Sequence, residues 1–234
     1  MPTAVITGAT KGIGKAIAYQ FLKNGYDLAI CARSQSDIDA IQMEWKQEYP
    51  QQSILAMAVD VSDKNAIKTF AAQIKEECND VEILVNNAGI FFPGNILDEA
   101  DGQLESTIET NLYSAYYLSR WLCPLMISRG KGHIFNLSSI AATRAYPGGG
   151  SYSISKFAML GLSENLRYEL MDKKVKVTTL TPGAVWTNSW AESGIAPERM
   201  MKAEDIAEMV WTASQLSDAA VVENILLRPQ LGDI

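Results

Sequence analysis

Seven short apolar segments, separated by longer stretches of helical period, constrain the fold of this chain more than any other feature. The segments are rich in Val, Ile and Leu and end in small or polar residues, and several lack strict alternation of apolar and polar positions. This pattern is typical of strands buried on both faces of a parallel sheet. The predicted strands are TAVITG, DLAICAR, SILAMAVD, VEILVNNAG, GHIFNLSS, VKVTTLTPG and VENILLRP.

The segments between the strands have helical period, and two of them carry clear end signals. The Asn-Gly of NGYD is a typical helix stop, and Ser62 or Asp63 is the candidate N-cap of a later helix. Without a linker or repeat, the alternation predicts a single α/β doubly wound domain over residues 1–234, with a parallel seven-stranded sheet and helices on both faces. Helices are expected at about 12–24, 36–48, 63–78, 103–128, 151–172 and 203–216.

Composition argues against several other classes of protein. Apolar content of 47% and charged content of 20% are ordinary for a globular protein, and no apolar run is long enough to predict a transmembrane helix. The N-terminal MPTAVITGAT is typical of a buried strand rather than a signal peptide. Cys31, Cys78 and Cys123 form no CxxC pair, which favours reduced thiols and a cytoplasmic location.

The net charge and the single histidine bear on which kinds of ligand the chain is expected to bind. The net charge is −7 and no Lys/Arg-rich block occurs, so we expect no nucleic-acid partner. His133 is the single histidine and enters an apolar strand, which favours a structural role over a zinc site or a Ser-His-Asp triad. We therefore expect a small-molecule ligand, with no bound metal and no membrane contact.

The first strand–turn–helix unit carries a glycine loop, VITGATKGIGKAIA. Gly8, Gly12 and Gly14 allow a tight turn and close approach of the backbone to a pyrophosphate at a helix N-terminus. A glycine-rich turn without a ligand is the alternative. The loop lacks the Gly-Lys-Ser/Thr ending of a P-loop, which disfavours an ATPase.

The end of the second strand bears on the choice of dinucleotide. An NAD site needs a carboxylate there for the ribose 2′-hydroxyl, but this strand ends in Ala32, followed by Arg33 and Ser34. Asp37 is expected in the first turn of the next helix. Because Arg33 and Lys11 could converge on a 2′-phosphate, the sequence favours NADP over NAD, although both are also plausible solvated charges.

Two Tyr-x-x-x-Lys pairs occur, Tyr152 with Lys156 and Tyr19 with Lys23. On a helix this spacing brings both side chains to one face, where an ammonium could lower the pKa of the phenol. The spacing alone does not separate a catalytic pair from a surface pair. Their contexts differ, because Ser139 stands thirteen residues before Tyr152 at a strand end, whereas Ile6 holds the equivalent position for Tyr19.

In this order and spacing the motifs resemble those of the short-chain dehydrogenase/reductase family, from residue 3 to the end of the chain. TGATKGIG resembles the family's cofactor loop, NNAG at 86–89 its central-strand motif, and PGAVWT the segment near the nicotinamide amide. The resemblance implies a Rossmann domain with a catalytic set of Ser139, Tyr152, Lys156 and Asn111. It also implies a cofactor site formed by Gly8, Thr10, Lys11, Gly12, Ile13, Gly14, Arg33, Ser34, Asp60, Val61, Asn87, Ala88, Gly89, Tyr152, Lys156, Pro182, Gly183, Val185 and Thr187.

The resemblance further implies hydride transfer between NADP(H) and a carbonyl or alcohol substrate. Ser139 and Tyr152 are expected to hydrogen-bond the substrate oxygen, and Tyr152 to donate the proton. Lys156 is expected to lower the phenol pKa below its usual value near ~10 and to bind the ribose hydroxyls. Asn111 is expected to hold a water that links Lys156 to solvent. The alternative is an Asn that breaks a long helix and bonds the backbone, which is compatible with that role.

Three loops are expected to contact the substrate: IFFPGN, IAATRAYPGGG, and a lid over about residues 185–202. The aromatic and Met content of the lid fits a pocket for a flat, apolar carbonyl compound as well as it fits packing on its own body or on another subunit. The tentative substrate residues are Phe91, Tyr146, Trp186 and Trp190, with Phe92, Arg144, Met200 and Met201 in the same loops.

Several segments, including SKFAMLGLSENLR and VVENILLRPQLGDI, resemble bacterial sepiapterin reductase-like members of the family. This implies sepiapterin or another diketone as substrate. The alternatives are a 3-oxoacyl thioester reductase and a non-catalytic NADP-binding regulatory protein. The apolar surface of the segment with Tyr113, Tyr116, Tyr117 and Trp121 exceeds what one sheet-covering face needs, which predicts a homodimer or homotetramer, although deep burial would also explain it.

Overall fold

The seven strands form one parallel sheet in the order β3-β2-β1-β4-β5-β6-β7, which confirms the predicted doubly wound α/β architecture. The computed structural model describes residues 1–187, 190 and 194–234. Each neighbouring pair of these strands is parallel. The strands are β1 (Thr3–Thr7), β2 (Asp27–Ala32), β3 (Ile54–Ala58), β4 (Val81–Asn86), β5 (Gly132–Leu137), β6 (Val175–Pro182) and β7 (Asn224–Leu227).

α-Helices alternate with these strands, and both predicted end signals are confirmed. Asn24 ends the first helix, and of the two candidates Asp63 is the N-cap of the third, because its carboxylate accepts from the Asn65 N–H at 2.7 Å. No helix in the described ranges is long and apolar enough to cross a membrane. The helices are α1 (Gly12–Lys23), α2 (Gln35–Glu48), α3 (Lys64–Glu77), α4 (Gln103–Ile108), α5 (Ser114–Arg129), α6 (Gly150–Leu170) and α7 (Ala203–Ser214).

The helix predicted at 103–128 is interrupted. α4 ends at Ile108, and a π-helical turn, Glu109–Tyr113, precedes α5. The turn contains Asn111, whose side-chain amide pairs with the backbone of Ile90 in both directions. Helical periodicity does not reveal this interruption, because the apolar pattern continues through it.

Helices cover both faces of the sheet because successive side chains of a strand point to opposite sides. Ala4 and Ile6 of β1 pack in a core with α1, α2 and α7, whereas Val5 packs in a second core with α3, α5 and α6. β1, β4 and β5 are buried at every position, which explains why their sequences lack polar alternation.

The strand order creates a switch point beside β1. The chain leaves β1 for β2 and β3 on one side and returns through α3 to β4 on the other side. The connections that follow β1 and β4 therefore diverge and open a crevice at the carboxyl ends of the strands, where ligands of such sheets bind.

Candidate active site

The β1–α1 loop lies at this switch point. Gly8 and Gly12 have positive φ angles of 66° and 54°. A Cβ on Gly14 would overlap the carbonyl oxygen of Gly8, so no side chain fits where α1 meets the loop. Thr10 is half-buried, Ile13 packs on the core, and α1 begins without a side-chain cap or an acidic first turn. Its free N–H groups and positive dipole end suit a phosphate.

Residues at the end of β4 bind the end of β1. The Thr7 hydroxyl accepts from the backbone N–H groups of Asn87 at 3.1 Å and Ala88 at 3.0 Å. The Asn87 side-chain amide donates to the carbonyl oxygens of Thr7 at 2.8 Å and Gly8 at 3.2 Å. These bonds fix the floor of the crevice directly under the glycine loop.

At the end of β2, Arg33 is exposed and Ser34 caps α2 by accepting from the Asp37 N–H at 3.2 Å. Asp37 lies in the first turn of α2, as predicted, and pairs with the Lys11 ammonium at 2.6 Å. This bond lowers the pKa of the Asp37 carboxyl. Asp37 therefore binds a lysine of the glycine loop. In an NAD site, a carboxylate near this end of the sheet would bind the ribose instead.

Asp60 and Val61 follow β3. The backbone N–H and the hydroxyl of Ser62 donate to Asp60 Oδ1 at 3.0 and 2.7 Å, and these bonds lower the pKa of the Asp60 carboxyl. The Arg33 charge acts on that pKa in the same direction. Asp60 is exposed and Val61 is buried, so one acidic and one apolar group line this end of the crevice.

The two serines after β5 have different surroundings. Ser138 is buried, and its hydroxyl donates to the carbonyl oxygen of Lys156 at 3.1 Å. The Ser139 hydroxyl accepts from the Ala141 N–H at 3.1 Å, and it lies near enough to the Tyr152 phenol to lower the pKa of that phenol. Of this pair, Ser139 is the one that acts on the pKa of the phenol.

Tyr152 lies in the first turn of α6, and Lys156 lies one turn later. Lys156 is 4% exposed, and its ammonium donates to the carbonyl oxygen of Leu137 at 2.8 Å. The ammonium nitrogen is 5.6 Å from the centroid of the Tyr152 ring. Burial lowers the pKa of Lys156 to about 8.

The expectation that Lys156 lowers the phenol pKa is wrong for the protein without a ligand. Burial raises the pKa of Tyr152 to about 12, the hydrogen bond with Ser139 opposes this rise, and Tyr146 adds to it. The ammonium donates to Leu137, and Tyr152 is half-buried. Desolvation of the phenolate is therefore the largest effect.

Asn111 is fully buried beside this pair. Its Oδ1 accepts from the Ile90 N–H at 2.7 Å, and its Nδ2 donates to the Ile90 carbonyl oxygen and the Ser155 hydroxyl, both at 3.0 Å. Ser155 in turn donates to the Tyr152 carbonyl oxygen at 2.7 Å. A Cβ on Gly89 would lie 3.2 Å from Asn111 Oδ1 and 3.7 Å from Lys156 Nζ, so the NNAG backbone passes between these two groups.

Two aromatic residues, Phe91 and Tyr146, lie near the phenol. The Phe91 ring meets the Tyr152 ring edge to face, with centroids 4.8 Å apart. Tyr146 lies near enough to affect the Tyr152 pKa. Phe91 and Tyr146 are 43% and 37% exposed, while Trp186 and Trp190 are half-buried. An apolar wall of this kind suits a flat substrate.

The segment predicted as a lid begins and ends with a short pairing. Val185 bridges Met201, and the Trp186 N–H donates to the Met201 carbonyl oxygen at 2.8 Å. Met200 and Met201 are buried, and Met201 packs in the core. For these two side chains, burial favours packing on the fold over contact with the substrate. Residues 188, 189 and 191–193 of the predicted lid lie outside the described residues.

The end of β6 lies between the glycine loop and the C-terminal tail. Thr187 packs so near Gly12 that a Cβ there would lie 2.9 Å from Thr187 Cγ2. Pro182 ends β6, and the Gly183 N–H donates to the Leu227 carbonyl oxygen at 2.8 Å. In the adjoining loop, Arg144 pairs with Asp233 of the tail at 3.1 Å and is therefore engaged within the chain.

Two further side chains that the sequence analysis weighed, Tyr19 and His133, have partners within the fold. The Tyr19 hydroxyl donates to Glu48 at 3.1 Å, and its ring lies against Trp45, so Tyr19 joins α1 to α2 rather than forming a surface pair with Lys23. His133 is buried with Nε2 2.6 Å from the Thr178 hydroxyl, and burial lowers the pKa of His133 to about 3. Neither side chain is among the crevice residues described above.

Sequence reasoning missed Ser155 and Glu99. Ser155 joins Asn111 to the backbone of Tyr152, and Glu99 accepts from the Ser151 N–H at the start of α6. Neither residue belongs to the motifs. Ser155 stands between Tyr152 and Lys156 in the sequence, whereas Glu99 lies 52 positions from its partner and gives no local signal.

Comparison with known proteins agrees with this geometry. The family model described as short chain dehydrogenase matches residues 2–197. A sepiapterin reductase of Chlorobaculum tepidum is 34% identical over 238 residues, covering 98% of this chain and 97% of that protein. A 3-oxoacyl-[acyl-carrier-protein] reductase of Haemophilus influenzae is 30% identical, covering 88% of each chain.

A solved structure extends the likeness to three dimensions. The alcohol dehydrogenase from Thermococcus sibiricus, complexed with 5-hydroxy-NADP, is 29% identical and superposes with a TM-score of 0.91. The superposition covers 100% of this chain and 99% of that one.

Proposed function

The chain belongs to the short-chain dehydrogenase family of oxidoreductases, and from that membership we propose that it reduces a carbonyl substrate with NADPH or oxidises the corresponding alcohol with NADP. The observation that carries the proposal is the arrangement of Ser139, Tyr152 and Lys156 beyond the carboxyl end of β5. They lie at the same edge of the parallel sheet as the glycine loop.

The residues of the crevice fit a nicotinamide dinucleotide, which supplies or accepts the hydride when bound. The uncapped N-terminus of α1 and the close packing at Gly14 suit the pyrophosphate. Lys11 and the exposed Arg33 are the cations for a 2′-phosphate. The absence of a carboxylate at the end of β2 and the exposed Arg33 that follows it favour NADP over NAD.

Ser139 and Tyr152 would act together on the substrate oxygen. Because the pKa of Tyr152 is about 12, the phenol is protonated at neutral pH and can donate its proton to the oxygen as negative charge develops there. The Ser139 hydroxyl would hydrogen-bond the same oxygen and stabilise that charge. In the oxidative direction the phenol must first lose its proton, so additional positive charge near it is required.

Lys156 and Asn111 would support this proton transfer. The Lys156 ammonium has three N–H donors, of which one goes to Leu137, so the others are available to ribose hydroxyls and water. Asn111 would hold a water beside the ammonium. Support for this role comes from Gly89, which lies between Asn111 and Lys156 and whose lack of a side chain leaves space next to both.

For the substrate, we infer sepiapterin or another flat diketone. The aromatic side chains of Phe91, Tyr146, Trp186 and Trp190 support it, as does 34% identity to a sepiapterin reductase over nearly the whole chain. Reduction of a 3-oxoacyl thioester is the second candidate, favoured by the relative from Haemophilus influenzae. A regulatory protein without catalysis would be expected to have lost Ser139, Tyr152 or Lys156, and this chain has all three.

The test is NADPH oxidation, followed at 340 nm with sepiapterin, simple diketones, quinones and a 3-oxoacyl thioester. The proposal predicts turnover of a diketone at a higher kcat/KM than the thioester. The reverse order would favour the second candidate. Tight NADPH binding without turnover across the panel would instead support the regulatory protein.

We also propose that the chain forms a homodimer or homotetramer through α5, the π-helical turn before it and α6. Tyr113, Tyr116, Ile154 and Phe157 on these elements are 40–48% exposed, which is a large apolar surface for a monomer. Sedimentation equilibrium should give two or four times the chain mass of 25.7 kDa. A mass of one chain at micromolar concentration would contradict this assembly.

A further inference from the structure

Glu99 occupies the N-terminus of α6, the helix that carries Tyr152. Its Oε1 accepts from the Ser151 N–H at 2.9 Å, and its Oε2 accepts from the Ser151 hydroxyl. The residue before α6 is Gly149, which has no side chain to cap the helix. The carboxylate thus satisfies an N–H that is otherwise unpaired at a helix start and faces the positive end of the helix dipole.

The backbone leaves room for this carboxylate. A Cβ on Gly150 would overlap Glu99 Oε1 and would lie 2.5 Å from the Gly94 carbonyl oxygen. Gly94 donates to the Gly148 carbonyl oxygen at 3.1 Å, and Asn95 Oδ1 accepts from the Gly148 N–H at 3.1 Å. The loop after β4 is therefore attached to the start of α6 at several points, and Glu99 makes the contact next to Tyr152.

The same loop carries Phe91, whose ring lies against the Tyr152 ring with centroids 4.8 Å apart. A shift of the loop relative to α6 would therefore move the aromatic wall and the phenol relative to each other. Tyr152 directly follows Ser151 in the chain, so the backbone that Glu99 holds is the backbone that sets the place of the phenol beside Ser139.

We propose that Glu99 is a positioning residue: by binding the Ser151 N–H and hydroxyl, it fixes the first turn of α6 and the β4–α4 loop so that Tyr152 and Phe91 meet the substrate in one geometry. This role rests on the proposed carbonyl reductase function. Glu99 acts here through hydrogen bonds, so a neutral side chain of the same length that bonds the same N–H and hydroxyl can replace it.

The experiment compares Glu99→Ala, which removes both bonds, with Glu99→Gln, whose carbonyl can accept from the Ser151 N–H and whose NH2 can donate to the hydroxyl. At saturating NADPH, E99A should lower kcat for carbonyl reduction by on the order of 10- to 100-fold, because small displacements of reacting groups have effects of this size. E99Q should retain kcat within about threefold, and the Kd for NADPH should be unaffected in both.

Asp63→Ala is the matched control, since Asp63 is a carboxylate that caps α3 by accepting from the Asn65 N–H at 2.7 Å. It should leave kcat at the wild-type value. If E99A does not fold, Glu99→Asp serves instead, because its carboxylate is one methylene too short to keep both bonds and its kcat should fall as predicted for E99A. Wild-type kcat in E99A, a loss in E99Q equal to that in E99A, or an equal loss in D63A would each overturn the proposal.

A measurement without turnover separates this proposal from the proposed function. The 13Cζ resonance of Tyr152 in the free protein reports the surroundings of the phenol. It should be unchanged in E99Q and D63A, and shifted or broadened in E99A. An unchanged resonance in E99A would refute the positioning role even if no carbonyl substrate were found, whereas an inactive wild type with a shifted E99A resonance would refute only the proposed function.

Discussion

Lys156→Met should show how much stability the fold loses by keeping a buried ammonium beside the phenol. Burial lowers the pKa of Lys156 from 10.5 to about 8 in the folded protein. Between these two pH values the unfolded chain binds more protons than the folded one, so wild-type stability rises with pH through this window. Below about pH 8 the full destabilisation by the buried charge is present, and it disappears above about pH 10.5.

The size of the effect follows from the same two pKa values. The difference between 10.5 and about 8 corresponds to about 3 kcal/mol of unfolding free energy at pH 7 and to under about 1 kcal/mol at pH 10. Met at this position removes the charge but leaves the Leu137 carbonyl oxygen without its donor, which costs roughly 1–3 kcal/mol at every pH. The informative quantity is therefore how the difference in unfolding free energy between wild type and K156M changes with pH, rather than its value at pH 7.

The assay is urea unfolding of the free wild type and K156M at pH 7, 8, 9 and 10. The wild type should gain about 2–3 kcal/mol relative to K156M between pH 7 and pH 10. Lys23→Met, at an exposed position of α1, controls for removal of a lysine. A constant difference between wild type and K156M across this range would refute the idea that burial sets the Lys156 pKa.

Three further substitutions test other parts of the site. Ser139→Ala should lower turnover by about 100-fold, whereas Ser138→Ala should keep most turnover and lower the unfolding free energy by about 1 kcal/mol; equal kinetics would contradict the assignment. Gly14→Ala should abolish NADPH binding measured by fluorescence, because its Cβ would overlap the loop backbone; wild-type binding would contradict that packing. Arg33→Ala should raise the Kd for NADPH about tenfold and leave that for NADH within about twofold; a parallel rise of both would exclude a 2′-phosphate contact.

The parallel sheet and the sequence of strands and helices along the chain could be predicted because their physical causes are local. Strands buried on both faces must be apolar throughout, and helix caps need particular residues, as at Asn24 and Asp63. The helical period does not show the interruption at Glu109–Tyr113, and the sequence offered a break of the helix at Asn111 only as an alternative. The interruption depends on the buried amide of Asn111 pairing with Ile90, a contact between segments distant in sequence.

The candidate site, too, could be predicted only in part. Motif spacing identified Ser139, and the structure gives the physical difference from Ser138, whose hydroxyl is bonded to the α6 backbone. The direction of the Tyr152 pKa was wrong, because the sequence indicates the nearby cation but not the degree of burial. For Met200 and Met201 the sequence left contact with the substrate and packing on the fold open, since an apolar side chain in a loop segment can face either a ligand or the core. Both are buried.

The central claim is that the Tyr152 phenol donates the proton to the substrate oxygen. It is tested most directly by comparing Tyr152→Phe with Tyr19→Phe, because each removes one hydroxyl from a Tyr-x-x-x-Lys pair. With a diketone and saturating NADPH, Y152F should lose at least about 100-fold in kcat while its NADPH Kd stays within about twofold, and Y19F should keep wild-type kcat. Near-normal turnover in Y152F, or an equal loss in Y19F, would contradict the account.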